Sequence, residues 1–358
     1  MRVKNSMYVA GCIGALLIVG CATEPPAPTD DYGPKLTHYG KNDLVDKGEI
    51  TLPPGFSKED MTELVMGVAF KASDKLPSNV APGEEPLPVD PNMSVTLQTY
   101  MDKLKRFTMV ALHGSDTEND LAAVAEYSDG KIELAEQEKP VKINVLLQCN
   151  VVCTKARTVV RGVGSQPDSE QLVYKVYLMA TCKDLRKGTV LFSEPVVGRT
   201  RPHVVTMVNG RPRGGFDVKS QSSAIEKAAM NAIIELANKL GNRFPAGGHV
   251  VAVSRSGDSM TLDKGANEGV GMGQQCVIVM DDEGVNIPLA LAEAYPETTE
   301  SKSALKIYRW NEADKDAKEI INEFKASPRG FFNANKNNLY AVCYGMALPP
   351  EWEQNATK

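Results

Sequence analysis

The side chains best equipped for covalent chemistry are the seven cysteines. A thiolate is a nucleophile, and two thiols in an oxidising compartment can form a disulfide. Beyond the first fifty residues five remain: Cys149, Cys153, Cys182, Cys276 and Cys343. Cys149 and Cys153 fall on one extended segment, ~13 Å apart. That separation exceeds the ~7 Å between Cα atoms that a disulfide tolerates. Cys182 falls on a neighbouring segment with the same inward parity, so it could pair with either of them. Cys276 could pair with Cys343. Five is odd, so at least one thiol stays unpaired or bonds between chains. The alternative is that all five are small buried hydrophobes. Zinc is not expected, because no Cys-x-x-Cys occurs and His38, His113, His203 and His249 are isolated. No Gly-x-Ser-x-Gly, His-Glu-x-x-His or Ser-x-x-Lys occurs in a supporting context. The run Gly269-Val270-Gly271-Met272-Gly273 lacks the Lys-Ser/Thr of a phosphate loop and leads into a strand, so it reads as turns. No catalysis and no cofactor are expected.

Cys21 stands apart. Arg2 and Lys4 form a positive start, and Tyr8 to Val19 is an apolar run too short to span a bilayer. The segment ends Ile18-Val19-Gly20-Cys21. This resembles the lipobox of bacterial lipoproteins, which implies a diacylglyceryl thioether on Cys21, cleavage after residue 20 and a membrane reached through acyl chains. The alternative is an ordinary signal peptide with an incidental cysteine. Loss of residues 1–20 removes Arg2 and Lys4, taking the net charge from −5 to −7. Acyl chains contribute ~0.8 kcal/mol per buried CH₂, so several hold firmly. Ala22 in place of Asp resembles lipoproteins sorted to the outer membrane, which places the chain on its periplasmic face.

Arginines mark the next candidates. Arg157 and Arg161, with Lys155, follow the first long strand. Arg199, Arg201, Arg211 and Arg213, with His203, flank Val204 to Val208 and the hairpin signal Asn209-Gly210. Two readings stand: solvated hairpin loops, or a contact surface for an acidic partner or lipid head groups. A spanning strand needs ~9–11 residues with an apolar face, and these stretches are short and arginine-rich, so a channel is not expected. The 358 residues suffice for about two domains. With 40 Lys+Arg against 45 Asp+Glu, the balance excludes the basic footprint of a nucleic-acid binder.

The elements that must position these residues follow from patterning. A signal peptide occupies 1–20 and a lipidated Pro-rich tether 21–55. Residues 56–92 read as helix and linker: Ser57-Lys58-Glu59-Asp60 resembles a capping box opening a helix through about Lys71, before the Pro-rich stretch Pro77 to Pro91. An α/β domain spans 93–245. Its helices are Met93 to Arg106, Asp116 to Tyr127 and an Ala-rich one from Ser223 to Leu240, with Gly241 as its expected C-terminal cap. Its strands are Phe107 to Leu112, Val141 to Thr154 with period-two alternation, Leu172 to Cys182 and Thr189 to Val197. A small β-rich domain spans 246–350, with short strands between glycine turns and a helix over Asp314 to Phe324.

The long strand, the hairpin Asp184-Leu185-Arg186-Lys187-Gly188-Thr189-Val190 and the Ala-rich helix together resemble the CsgG-like family of envelope lipoproteins, which extends to LpoB-like activators of cell-wall synthases. The family hairpin carries Thr-Gly where this chain has Gly188-Thr189. The run from Asp263 to Gly273 resembles the terminal barrel of flagellar-assembly-protein-T-like lipoproteins. These resemblances imply an α+β chain: a CsgG-like mixed or antiparallel sheet flanked by helices, then a small β-barrel. They imply a non-catalytic binding or scaffold lipoprotein of envelope assembly or secretion, with envelope proteins as partners. The alternatives are a ring-forming outer-membrane export component and an LpoB-like activator. Self-association into a homo-oligomer stays open.

Overall fold

The longest pairing in the protein is made by the segments that alternate most strongly in sequence. It is seen in a computed structural model that describes residues 44–53, 56, 58–61, 64–78, 80–81, 83–112, 131–132, 141–161, 168–208, 211–212, 218–295, 297–349 and 352. In chain order, a hairpin of β1 (Val45–Asp46) and β2 (Glu49–Ile50) is followed by a 3₁₀ turn at Lys58–Met61. Then come β3 (Val65–Ala72), β4 (Glu84–Leu87), α1 (Met93–Met101) and β5 (Thr108–Ala111). The short pair β6 (Lys131–Ile132) and β7 (Val141–Lys142) precedes the long β8 (Val145–Val160) and β9 (Ser169–Asp184). Next are β10 (Thr189–Arg199), β11 (His203–Val208), β12 (Arg211–Pro212) and α2 (Val218–Arg243). The last part holds β13 (Ala246–Val253), β14 (Ser259–Leu262), β15 (Gln275–Asp282), β16 (Val285–Ala294) and β17 (Ser303–Trp310). Helices α3 (Lys315–Ala326) and α4 (Pro328–Asn335) and strand β18 (Leu339–Cys343) close it. All described residues belong to one compact unit. The helix expected over Asp116 to Tyr127 lies outside the described residues.

Strands β8 and β9 pair antiparallel from Val145↔Asp184 to Val160↔Ser169. Their alternation puts Val145, Leu147, Cys149, Val151 and Cys153 on one face with Val176, Leu178, Ala180 and Cys182, in a single core with α1 and α2. Each valine and leucine among them contributes about 1.5–3 kcal/mol when fully buried. Strand β3 runs parallel between β8 and β5, while β4 joins β8 and β10 and β11 join β9. The sheet is therefore mixed, and with the barrel below it the fold is α+β.

Helix α2 carries an apolar stripe of Ala228, Ala229, Ala232, Ile233, Leu236 and Leu240, all fully buried. Its backbone comes down on β10 at Gly198. A Cβ there would lie 2.8 Å from the Cα of Ala232 and would overlap the Ala228 carbonyl oxygen. The ion pair between Lys239 and Glu194 (2.6 Å) ties the same two elements farther along. The helix does not end at Gly241 but runs to Arg243. That glycine instead admits the returning chain, since a Cβ would lie 2.7 Å from the Met346 nitrogen.

The helix expected through Lys71 is a 3₁₀ turn followed by strand β3. Met66, Gly67, Val68 and Ala69 are all buried, because β3 is flanked on both edges and covered on both faces. A strand buried on both sides has a near-continuous apolar run, which also satisfies helical spacing.

The second part is a closed six-stranded barrel in the order β13-β14-β17-β16-β15-β18. Ile321, Phe324 and Phe331 of α3 and α4 join its core. Asp314 caps α3 by accepting from the Ala317 N–H (2.9 Å). Cys276 and Cys343 face each other across β15 and β18 and are joined in a disulfide. Cys149, Cys153 and Cys182 are free and buried, so the possible bond from Cys182 to Cys149 or Cys153 is not formed and the buried-hydrophobe alternative describes these three. The register explains this: Leu147 stands opposite Cys182, Ala180 opposite Cys149 and Val176 opposite Cys153. Burial pushes these thiols up, Cys153 to about 11 and Cys182 to about 12, with the Asp184 charge adding to the latter.

Two boundaries differ from expectation. The tether predicted to reach residue 55 gives way by Leu44 to a strap laid on the outside of the barrel. Leu44 and Ile50 are buried there against Val277, Val279, Leu291, Tyr340 and Val342. Phe56 stacks on Tyr340 (5.9 Å), Lys58 pairs with Asp281, and the Ile50 N–H donates to Asn311 Oδ1 (2.9 Å). At the other end the chain leaves the barrel after Cys343, and buried Trp352 packs edge-on against Tyr100 of α1 (5.9 Å). The final segment thus belongs to the sheet-and-helix core rather than to the barrel predicted to extend to 350.

The seam at Gly198 makes a clear prediction. Gly198→Ala is expected to destabilise the protein by about 3 kcal/mol, because two backbones must separate. Gly188→Ala, in the open β9–β10 turn at φ +63°, should cost only about 1 kcal/mol of local strain. Denaturant midpoints of the two variants check the contrast.

Candidate functional site

Strand β3 follows β8 only as far as Val151, opposite Ala72. Beyond that point the β8–β9 hairpin continues for about 25 Å as an arm. It is edged by β4 opposite Cys153 to Ala156 and by β11 opposite Ser169 to Leu172. Register fixes which side chains share a face. Arg157, Leu172 and His203 form one row across the arm, and Val159, Glu170 and Val205 form the next.

Toward its end the arm exposes valines on both faces: Val159 (58% exposed) shares the face of Arg157, while Val160 (41%) and Val204 (56%) lie on the other. Of the predicted arginines, Arg157 lies on the Val159 face. Arg157 pairs with buried Glu170, leaving more than half of the Arg157 side chain exposed. Arg161 is exposed directly after β8, and Arg201 is exposed just before β11. Arg199 ends β10, where its carbonyl accepts from Asn231 Nδ2 of α2 (2.8 Å). Arg211 opens β12, its backbone paired with Val208. Arg213 and Cys21 lie outside the described residues. Lys155 pairs with Glu85 of β4 (3.2 Å).

The base of the arm is pinned by a polar cluster in a stretch expected to be a linker. The Glu84 side chain is fully buried. It accepts from Thr154 Oγ1 (2.8 Å) and Tyr177 OH (3.0 Å) and pairs with Lys175. Burial alone would raise its carboxyl. The hydrogen bonds from Lys175, Thr154 and Tyr177 outweigh burial and hold it below the usual value of 4.5. The same environment, burial first, then the hydrogen bond to Glu84 and its charge, pushes the Tyr177 phenol up, so it stays a donor. Thr154 and Lys175 stand on the polar side of the alternation, which was the signal for a carboxylate partner.

A second feature lies where the sheet meets the barrel. A cleft of about 310 Å³ is lined by Met61, Lys105, Arg106, Phe107, Thr108, Ala246, Gly247, Lys264, Asn267 and Glu268. Arg106 is buried; its Nε donates to the Phe244 carbonyl (3.0 Å) and its Nη2 to that of Pro245 (3.3 Å). These bonds hold the turn by which α2 passes into β13. Phe107 meets Phe244 edge-on beside it (5.6 Å). Of the glycine run read as turns, Gly269 has φ +83°, and a Cβ there would also lie 3.0 Å from Arg106 Cβ. Gly271 similarly admits Ala347, at 2.7 Å from a Cβ. Among the described residues, no group of three or more His, Cys, Asp or Glu could hold a metal ion. No helix among them is long and apolar enough to cross a membrane.

No family model and no curated protein matches the sequence. Among solved structures, a homologue of the neuraminyllactose-binding hemagglutinin from Helicobacter pylori is similar, at 11% identity and TM-score 0.32, over 49% of this chain and 83% of that one. Protein CT253 from Chlamydia trachomatis is similar at 9% identity and TM-score 0.27, over 51% of this chain and 98% of that one. At these scores neither likeness carries a statement about fold or function.

The Glu84 cluster predicts an acid-sensitive arm. A carboxyl depressed on folding contributes stability that is present above its unfolded value and lost as pH falls through its folded value. Glu84→Gln is therefore expected to cost about 2 kcal/mol near neutrality. The gap to the parent protein should close as pH falls below 4.5. Denaturation curves across that range check both the size and the convergence.

Proposed function

We propose that this protein is a lipid-anchored, non-catalytic binding or scaffold lipoprotein, held by Cys21 on the periplasmic face of the outer membrane and engaging envelope proteins through the β8–β9–β11 arm. The observation that carries the reading is the exposure of apolar side chains on both faces of the arm's end, Val160 and Val204 on one and Val159 beside Arg157 on the other. Single exposed valines are ordinary, but an arm end that exposes three of them and carries Arg157, Arg161 and Arg201 combines the apolar and cationic groups of an interface. The partner surface is apolar with an acidic border, which Arg157, Arg161 and Arg201 complement. The lipobox resemblance at Cys21 supplies the membrane attachment, and the CsgG-like resemblance of the sheet points to the same compartment.

A photo-crosslinking residue at Val204 should capture discrete envelope proteins in cells. The same residue at Val285, 63% exposed at the β15–β16 turn, serves as the comparison. Equal capture from both positions, or none from Val204, contradicts the arm as the contact surface. Cys21→Ser should abolish fatty-acid labelling and move the protein to the soluble periplasmic fraction. Unchanged labelling and retention would remove the anchor from the account.

A further inference from the structure

We propose that the cleft between the Lys105–Thr108 segment and the barrel is a binding site for a small organic anion, one carrying carboxylate or phosphate groups. The inference is independent of the arm and of the anchor. Three cationic side chains, the neighbours Lys105 and Arg106 from one segment and Lys264 from another, line the cleft with one carboxylate, Glu268. That carboxylate is already engaged, since its Oε2 accepts the Gly265 N–H (2.9 Å). In a chain of net charge −5, a cleft so lined gathers anions that the rest of the surface repels.

The side chains differ in how they are held. Arg106 is fixed by the Phe244 and Pro245 carbonyls, so it contributes a positive charge of set position. Lys105 is exposed and Lys264 half-buried, and no ion pair is formed by either among the described residues. Both ammonium groups are therefore available to an incoming anion, and the exposed Asn267 amide adds a neutral donor and acceptor.

The floor of the cleft carries the independent observation. Strand β13 contains two consecutive glycines, which weaken a strand and are retained where something must approach its backbone closely. A Cβ on Gly248 would overlap Asp263 Oδ1, which accepts the His249 N–H (2.7 Å), and would lie 2.5 Å from Lys264 Cγ, while one on Gly247 would lie 2.9 Å from Met61 Cγ. Gly248 thus lets the Lys264 stem cross the strand, and Gly247 lets the strap deliver an apolar wall.

Size narrows the ligand. A volume of about 310 Å³ holds roughly ten waters at ~30 Å³ each and is at the small end of ligand pockets. A tricarboxylate or a hexose phosphate fits. The occupant would touch the sheet-and-helix core, the barrel and the strap at once.

Calorimetric titration of the purified protein at low ionic strength tests this, with citrate, glucose 6-phosphate and inorganic phosphate as probes. Saturable one-to-one binding of citrate or glucose 6-phosphate is expected, tighter than inorganic phosphate, and the tighter of the two identifies carboxylate or phosphate as the recognised group. Lys105→Gln and Lys264→Gln should each weaken it by about tenfold. Lys306→Gln, over the Tyr295 ring on the outside of the barrel, should leave it unchanged. Melting temperatures without ligand should match across the three variants. No saturable binding of any probe at millimolar concentration, or binding indifferent to the Lys105→Gln/Lys264→Gln double change, overturns the proposal.

Discussion

The architecture depends on how closely α2 can lie on the sheet. With Gly198 under Ala228 and Ala232, helix and strand backbones meet where a Cβ would overlap the helix carbonyl. That approach lets the small residues of the helix stripe reach the sheet while Ile233, Leu236 and Leu240 fill the core beside them. Because α2 packs on β10, and β10 pairs with β9, the near half of the β8–β9 hairpin is covered by the helix. The far half then projects as a paired structure with no need of a helix over it.

The same device recurs at the joint with the barrel. Gly241, Gly247, Gly248, Gly269 and Gly271 are each approached by a segment distant in sequence or by a long side chain. Met346 and Ala347 press on the first and last, Met61 and Lys264 cross the β13 pair, and Arg106 packs on Gly269. The result joins sheet and barrel through backbone proximity and the Arg106 bonds to two carbonyls, leaving a cleft beside them. The strap on one side and the Trp352 segment on the other make the two ends of the described chain part of the joint, so the barrel is not an appendage on a linker.

Much of this was legible in the sequence where packing is one-sided. The alternation of Val141 to Thr154 and Leu172 to Cys182 is clean because only one face meets the helices. The Ala-rich stripe of α2 and the glycine-punctuated strands of the barrel were readable for the same reason. Leu64 to Ala69 was misread as helix because a strand buried on both sides loses its period. The strap was invisible because Leu44, Ile50 and Leu52 have no local period, and their partners lie more than two hundred residues away. Parity could place three cysteines on one face, but only register decides that none of them is opposite another. Arg106 could not be told from other arginines, since its bonds to the Phe244 and Pro245 carbonyls exist only once the chain has folded. Glu84 was hidden by its prolines, although the polar face it neutralises was in plain view.

The central claim is that the arm is a preformed surface, rigid before any partner arrives. Hydrogen–deuterium exchange on the purified protein tests it most directly, comparing amides of residues 154–160, 170–174 and 203–206 with those of 145–151. The account predicts slow exchange in the arm, approaching that of the helix-covered half and further slowed in native envelopes. Exchange of the arm at the rate of an unstructured chain, beside a protected 145–151, would contradict it.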